Sequence, residues 1–271
     1  MCCWMNGYIN AIILALLHAK GSLGTLNFER CNIERVDLGL YLGGRSHFSL
    51  PSSPIIFVYG NDTRDPLKSL LLIHFSSYEN LLENHSEEVV TLSSSNSYSH
   101  GLKRESLKSY LLSLALNYSR DALIDANEDF YLFGANFQPL WKDLEDLYEV
   151  PPCLYCEKAG AKTIGIGRLF SGVSFHMHGP GFSEVIHGSK HWFLYPPDTY
   201  PSHFSPNMSM MEWYSAYYDT DYALNPNALY ECTIHPNEVL FFPDRWVHGI
   251  LNTAHYNFFV SLFLDIQLMV L

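Results

Sequence analysis

The sequence predicts an α+β fold, with helices gathered in the N-terminal half and a strand-rich second half that closes into a barrel or jelly roll. Three observations carry this expectation. Hydrophobic residues fill 48% of the 271 positions and aromatic residues 15%, against 16% charged, a balance that suits pleated layers packed with aromatic and β-branched side chains. From Thr163 onwards, short apolar runs are separated by turn residues. Upstream, two stretches carry apolar residues at helical spacing instead. The length fits one domain, expected over residues 25–271 with its barrel core at about 130–265.

Taken in order, Phe28–Asp37 mixes charged and apolar residues and leads into the domain as a short strand. Residues 41–54, rich in Gly, Ser and Pro, read as loop. Pro54–Gly60 is a strand ending at a turn, and Leu67–Leu82 is helical in part. Val89–Leu92 is a short strand, followed by the serine-rich loop Ser93–Ser99. Leu107, Tyr110, Leu111 and Leu114 line one face of a helix over Glu105–Leu116. Phe130–Phe133 is a strand stopped by Gly134, and Phe137–Tyr148 is a helix with Leu140, Trp141, Leu144 and Leu147 turned inwards. The second half holds strands at Ile164–Phe170, Tyr230–Ile234, Val239–Phe242, Ile250–Leu251 and Phe258–Leu264. A hairpin joins Glu184–His187 to Lys190–Tyr195 through Gly188-Ser189. One aromatic and Met-rich interruption, Ser205–Tyr222, is helical around Met210–Tyr217.

The net charge is −12 and no run of Lys or Arg exceeds two residues. Nucleic acid binding needs a basic surface to neutralise phosphates, so that class is set aside. At the N-terminus, Tyr8–Leu17 is apolar apart from Asn10, is too short to span a bilayer, and is followed by small residues up to Gly24. Residues 1–24 are expected to be a signal peptide, with a buried helix or an uncleaved anchor as the alternatives. No later run suits a transmembrane helix. Four sequons, at Asn61, Asn84, Asn117 and Asn207, fit glycosylation in the secretory pathway. Of the six cysteines, Cys2 and Cys3 fall in the leader. Cys31, Cys153, Cys156 and Cys232 remain, enough for two disulfides with three possible connectivities. Cys153 and Cys156 have redox-motif spacing but follow Pro151-Pro152 in a loop, where a staple or two ordinary partners for the other pair fit better. The last residues carry no retention tetrapeptide, so lumenal residence and secretion both stay open here.

The chemistry concentrates in Val173–Pro197. His176 and His178 stand two residues apart, on one face if the stretch is a strand, and His248 follows the late strand Glu238–Phe242. Two ligands so spaced, with a third on a late strand, are how a double-stranded β-helix holds a metal. Three protein ligands leave positions open for a bidentate co-substrate and dioxygen.

These residues resemble the jumonji C (JmjC) branch of the cupin superfamily. The resemblance is carried by Pro54–Gly60, Tyr131-Leu132 followed by Phe137, the stretch Gly188–Pro197 and Glu238–His248, and spans roughly Pro54 to Leu264. It implies a jelly-roll barrel and a site for Fe(II) and 2-oxoglutarate. His176, His178 and His248 would be the metal ligands, Lys190 would bind the distal carboxylate of 2-oxoglutarate, and Tyr131 would contact the co-substrate. Phe175–Glu184 and Phe242–His248 are similar in particular to a family member of the endoplasmic reticulum lumen, which favours that location over secretion.

Two departures stand out. The family pattern is His-x-Asp/Glu, whereas this chain has His176-Met177-His178. Val173 also replaces a Thr that hydrogen-bonds the co-substrate in relatives, and cannot donate. Glu184 can serve as the missing carboxylate only if the Gly179-Pro180-Gly181 bend swings it inwards. Asp244 and Arg245 are expected to pair with each other or to order the loop before His248. The departures point to a regulatory factor that works through protein partners and keeps a degenerate metal site. The alternative is an active Fe(II)/2-oxoglutarate dioxygenase hydroxylating a protein side chain. A non-catalytic zinc site is a third option.

Overall fold

The computed structural model describes residues 28–60, 63–94, 101–114, 130–134, 136, 138–157 and 160–265. The expected signal peptide, Asn61 and Asn117 lie outside the described residues.

The first half runs β1 (Glu34–Asp37), α1 (Leu38–Leu42), β2 (Ile55–Val58), α2 (Pro66–Phe75), α3 (Tyr78–Asn84), β3 (Val89–Ser94), β4 (Leu102–Ser106), α4 (Leu107–Leu114), β5 (Phe130–Phe133) and α5 (Pro139–Leu147). Local chemistry sets the helix starts. Asp65 accepts from Leu67 N with Pro66 in the first turn, and Ser77 accepts from Asn80 N. The expected helix from Glu105 begins instead at Leu107, because Glu105 and Ser106 pair with Val90 and Val89 of β3. Ser93 and Ser94 likewise belong to β3 and pair with β5. Tyr110 of α4 ties the helix to the sheet: its hydroxyl donates to Ile166 O at 2.6 Å and accepts from Leu132 N at 3.2 Å.

The second half is β6 (Gly160–Gly167), β7 (Gly172–His176), β8 (Gly181–His187), β9 (Lys190–Tyr195), α6 (Met210–Ala216), α7 (Tyr218–Leu224), β10 (Tyr230–Ile234), β11 (Glu238–Phe242), β12 (Val247–Asn252) and β13 (Asn257–Leu264). The larger sheet has the order β1-β2-β11-β8-β13-β6-β5-β3-β4 and the smaller β10-β9-β12-β7. Four of the last eight strands therefore lie in each sheet, all paired antiparallel, in a jelly-roll-like arrangement.

One expectation is overturned by this topology. Gly188-Ser189 does not close a hairpin. β8 pairs with β11 and β13 in the larger sheet, while β9 pairs with β10 and β12 in the smaller. The turn is a corner at which the chain changes sheets. Gly188 takes φ 86°, where a Cβ would lie 2.4 Å from Tyr256 O, and Ser189 N donates to Asn257 Oδ1. The structure also extends β8 back to Gly181 and stops β6 at Gly167.

Between the sheets, Trp192, Leu194, Cys232, Ile234 and Ile250 meet Ile56, Val185, Leu240 and Phe242. Helices α2 to α5 cover the outer face of the larger sheet through Leu72, Tyr110, Leu111, Trp141 and Leu144 against Ile164, Ile166, Phe258 and Val260. Helix α6 covers the smaller sheet with Met210, Met211 and Trp213 against Phe175, Phe193, Val247 and Leu251. Each fully buried large side chain contributes about 1.5–3 kcal/mol.

Candidate metal centre

β7 and β12 build the site. His248 pairs with His176 and Ile250 with Val173, so two steps along β12 oppose three along β7. This bulge turns both Val173 and His176 into the space between the sheets, which a regular strand cannot do for residues three apart. Gly249 stands at the bulge, where a Cβ would lie 2.4 Å from Met210 Sδ.

β7 ends at His176, so His178 is not placed by strand alternation. A loop holds it. The backbone N–H of Arg245, in the turn between β11 and β12, donates to His178 O at 3.2 Å. One nitrogen from each of His176, His178 and His248 lies within 4.8 Å of the others.

The second ring nitrogens explain how these histidines are oriented. Nδ1 of His176 lies 2.8 Å from Ser174 O, Nδ1 of His178 2.8 Å from Gly179 O, and Nδ1 of His248 2.8 Å from Trp246 O. A carbonyl only accepts, so each Nδ1 carries the hydrogen, and each Nε2 keeps its lone pair. Burial, and for His176 the neighbouring His178, pushes the His176 pKa down to about 4. Burial likewise lowers His178, and holds His248 well below its ordinary value together with the other two rings. Three neutral imidazoles with fixed lone pairs are the donor set that Fe(II) or zinc accepts.

The histidines open into a cavity of about 250 Å³. Its walls are mostly apolar, formed by Val173, Trp192, Phe242, Ile250, Phe259 and Phe263, with Tyr131 and Lys190 among the lining residues. Lys190 is 3% exposed. Its Nζ stands 3.0 Å from the Phe259 ring centroid, and it makes no ion pair with a carboxylate among the described residues. Burial holds its pKa well below the usual lysine value. A carboxylate in the cavity would supply the missing counter-charge.

Glu184 is not the missing carboxylate. Phe182 and Glu184 lie on the outer face of β8, whereas Ser183 and Val185 face inwards. Glu184 is 1% exposed and accepts from Arg64 Nη1 at 2.6 Å and Nη2 at 2.8 Å. The Arg64 guanidinium also stacks over Tyr59, 3.3 Å from the ring centroid. Nothing in the sequence pairs Arg64 with a residue 120 positions away, so this contact went unforeseen. Arg245 pairs with Asp198 at 2.8 Å, not with Asp244.

The four remaining cysteines, the described sequon asparagines and three further histidines lie apart from the metal centre. Cys31 is bonded to Cys232, and Cys153 to Cys156. Asn84 and Asn207 are exposed, at the end of α3 and in the turn before α6. His187 donates towards Ile73 O, His191 is buried against Thr233 and Glu231, and His255 is exposed. No helix among the described residues is long and apolar enough to cross a membrane.

Comparison with known proteins agrees with this architecture. A sequence model described as a cupin-like domain matches residues 75–267. The chain is 37% identical to mouse JmjC domain-containing protein 8 over 236 residues, covering 87% of this chain and 83% of that protein. It is 41% identical to the human protein of the same name over 189 residues, 69% of each. It is also 33% identical over 144 residues to the arginine-specific demethylase JMJ22 of Arabidopsis thaliana, covering 45% of this chain and 28% of that one. By its jelly roll, its matched length and these identities, the chain belongs to the cupin-like JmjC domain family.

Proposed function

We propose that this chain is an Fe(II)- and 2-oxoglutarate-binding protein of the endoplasmic reticulum lumen whose reaction class is oxygenation of a protein side chain. The observation that carries the metal assignment is the set of three Nδ1–H···O=C bonds, which leaves three Nε2 lone pairs for one ion. When bound, iron with 2-oxoglutarate supplies the oxidising chemistry. The protein's own part is to hold and exclude: His176, His178 and His248 hold the metal, and Lys190 meets the distal carboxylate. The apolar walls formed by Val173, Phe242, Ile250, Phe259 and Phe263 keep water out. Zinc is the alternative metal for the same donors.

A second reading has its own support. Among the described residues no carboxylate belongs to the metal-ligand cluster, and Glu184 is locked to Arg64 on the opposite face of the sheet. Three neutral ligands leave both charges of the ion uncompensated, which alters reactivity. On this reading the protein is a regulatory factor that acts through protein partners while retaining ligand binding.

Anaerobic titration with Fe(II) and then 2-oxoglutarate separates the two. A visible charge-transfer band with succinate formation, both lost in His176→Ala, supports the oxygenase. A band without succinate supports the regulatory reading. Neither band nor metal uptake at saturating Fe(II) sinks both. The lumenal location is supported by the leader-like N-terminus and the four sequons; an unchanged mass of cell-derived protein after glycosidase treatment would overturn it.

A further inference from the structure

Residues 28–33 form a strap along β10, the edge strand of the smaller sheet. Asn32 N donates to Glu231 O at 3.0 Å, and Glu231 N donates to Asn32 Oδ1 at 2.8 Å. The Asn32 amide also donates to Leu229 O, and the Thr233 hydroxyl to Phe28 O. The strap thus covers backbone groups that an edge strand would otherwise leave unpaired. The Cys31–Cys232 disulfide fastens it. Cys232 sits opposite Trp192 of β9, the strand that also carries Lys190 into the metal-site cavity.

The two sulfurs of this bond have opposite surroundings. Cys31 is exposed, on the rim of a cavity of about 510 Å³ shared with Phe28, Glu29, Arg35, Thr233 and His235. Cys232 is fully buried in the apolar cluster between the sheets. Arg35 is held at two points: Nε by Glu238 at 2.8 Å and Nη2 by Thr233 O at 2.7 Å. Its remaining nitrogen, Nη1, lies 2.7 Å from Cys31 Sγ. A disulfide sulfur is a weak acceptor, whereas a thiolate is a strong partner for a guanidinium. Arg35 is therefore set for a charge that Cys31 carries only when the disulfide is open.

We propose that Cys31 is a thiol-exchange site, through which an external disulfide, small-molecule or protein-borne, closes the strap. The Cys31 thiolate attacks one sulfur of that disulfide, forms a mixed disulfide and releases a thiolate. Cys232 then loses its proton to solvent and attacks Cys31 Sγ. The Cys31–Cys232 bond forms and the second external thiolate leaves. Two electrons pass from the two cysteines to the external disulfide. In reverse, a reductant reaches only Cys31 and must expel Cys232 as a thiolate into an apolar cluster. The same buried thiolate is the nucleophile in the closing direction, so exchange enters at Cys31 both ways and the step at Cys232 is the slow one.

The test uses the reduced full chain and oxidised glutathione, with peptide mapping. Cys232→Ser is expected to trap a mixed disulfide on Cys31, while folded Cys31→Ser leaves Cys232 unlabelled. Arg35→Gln is expected to slow the Cys31 reaction at pH 7 about threefold, because the loss of thiolate outweighs the gain in nucleophilicity, and Arg35→Lys to restore most of the rate. Should a cysteine variant fail to fold, the order of alkylation in the reduced wild-type chain, Cys31 before Cys232, carries the same test. Equal reactivity of the two cysteines, or an Arg35→Gln profile superimposable on wild type, overturns the proposal.

Discussion

The backbone N–H of Arg245 reaches the carbonyl of His178 across 3.2 Å, joining the β11–β12 turn to the one metal-site histidine that lies beyond its strand. Arg245 adopts φ 61°, a left-handed conformation that costs a non-glycine residue about 1–2 kcal/mol. Arg245→Gly is expected to keep metal affinity and to raise stability or leave it unchanged. Arg245→Pro removes the N–H and forbids the conformation, so metal affinity should fall about 10–100-fold. Isothermal titration of the two variants with Fe(II) or zinc checks this; equal affinities would show that the contact does not position His178.

The three imidazoles are expected to be unequal. His176 and His248 sit on paired strands, and removing either should abolish binding. His178→Ala should weaken it about 10–100-fold. His178→Asp should retain the metal, because the carboxylate supplies one oxygen ligand and cancels one unit of the ion's charge. Metal content after dialysis, measured for all four variants, decides the order.

Lys190 separates co-ligand from metal. Lys190→Met keeps the apolar stem and deletes the ammonium, so metal uptake should persist while 2-oxoglutarate affinity drops at least tenfold. Loss of metal in this variant would mean that Lys190 supports the fold of the site, and unchanged 2-oxoglutarate binding would remove it from the co-ligand's contacts.

Glu184 is expected to matter for stability and not for the metal. Glu184→Gln leaves the Arg64 guanidinium without a charged partner at a site where the carboxylate is 1% exposed, and should cost about 3–5 kcal/mol in chemical denaturation. Metal affinity of the folded fraction should match wild type; a parallel loss would reinstate Glu184 near the metal.

His187 sets a pH dependence outside the metal site. Its Nε2 lies 3.0 Å from Ile73 O, tying α2 to β8, and burial lowers its pKa below the ordinary histidine value. With the folded-state pKa the lower of the two, the unfolded chain takes up its proton first as pH falls. This residue's share of stability is therefore complete above about pH 6.5 and shrinks below it. His187→Gln should cost about 1 kcal/mol at pH 7.5 and flatten the slope of stability between pH 7 and 5. A slope equal to wild type refutes the assignment.

Much of the architecture was legible in the residues themselves. Aromatic and β-branched runs broken by turn residues marked most strands, and the stripes at Leu107–Leu114 and Leu140–Leu147 marked helices, because local periodicity reports which face is buried. The family likeness rested on motifs, above all Gly188–Pro197 and Pro243–His248. What local periodicity cannot report is the partner of each strand. The β8–β9 turn looks like a hairpin from its two residues, and only the pairings to β11, β13, β10 and β12 reveal a corner between sheets. Alternation likewise put His176 and His178 on one strand, whereas a bulge aims the first and a loop contact from Arg245 holds the second.

The sequence by itself determined the donor types: three histidines, a lysine, and no carboxylate at the expected position. Tertiary structure decided their states. Ser174, Gly179 and Trp246 carbonyls select the tautomers, burial disfavours the charged form of the rings, Lys190 has no counter-charge among the described residues, and Arg64 holds Glu184 on the outer face. The physical reason is common to all four. Proton positions and charges depend on what lies within a few ångströms, and those neighbours are set by strand pairing and loop contacts that no local stretch of sequence encodes.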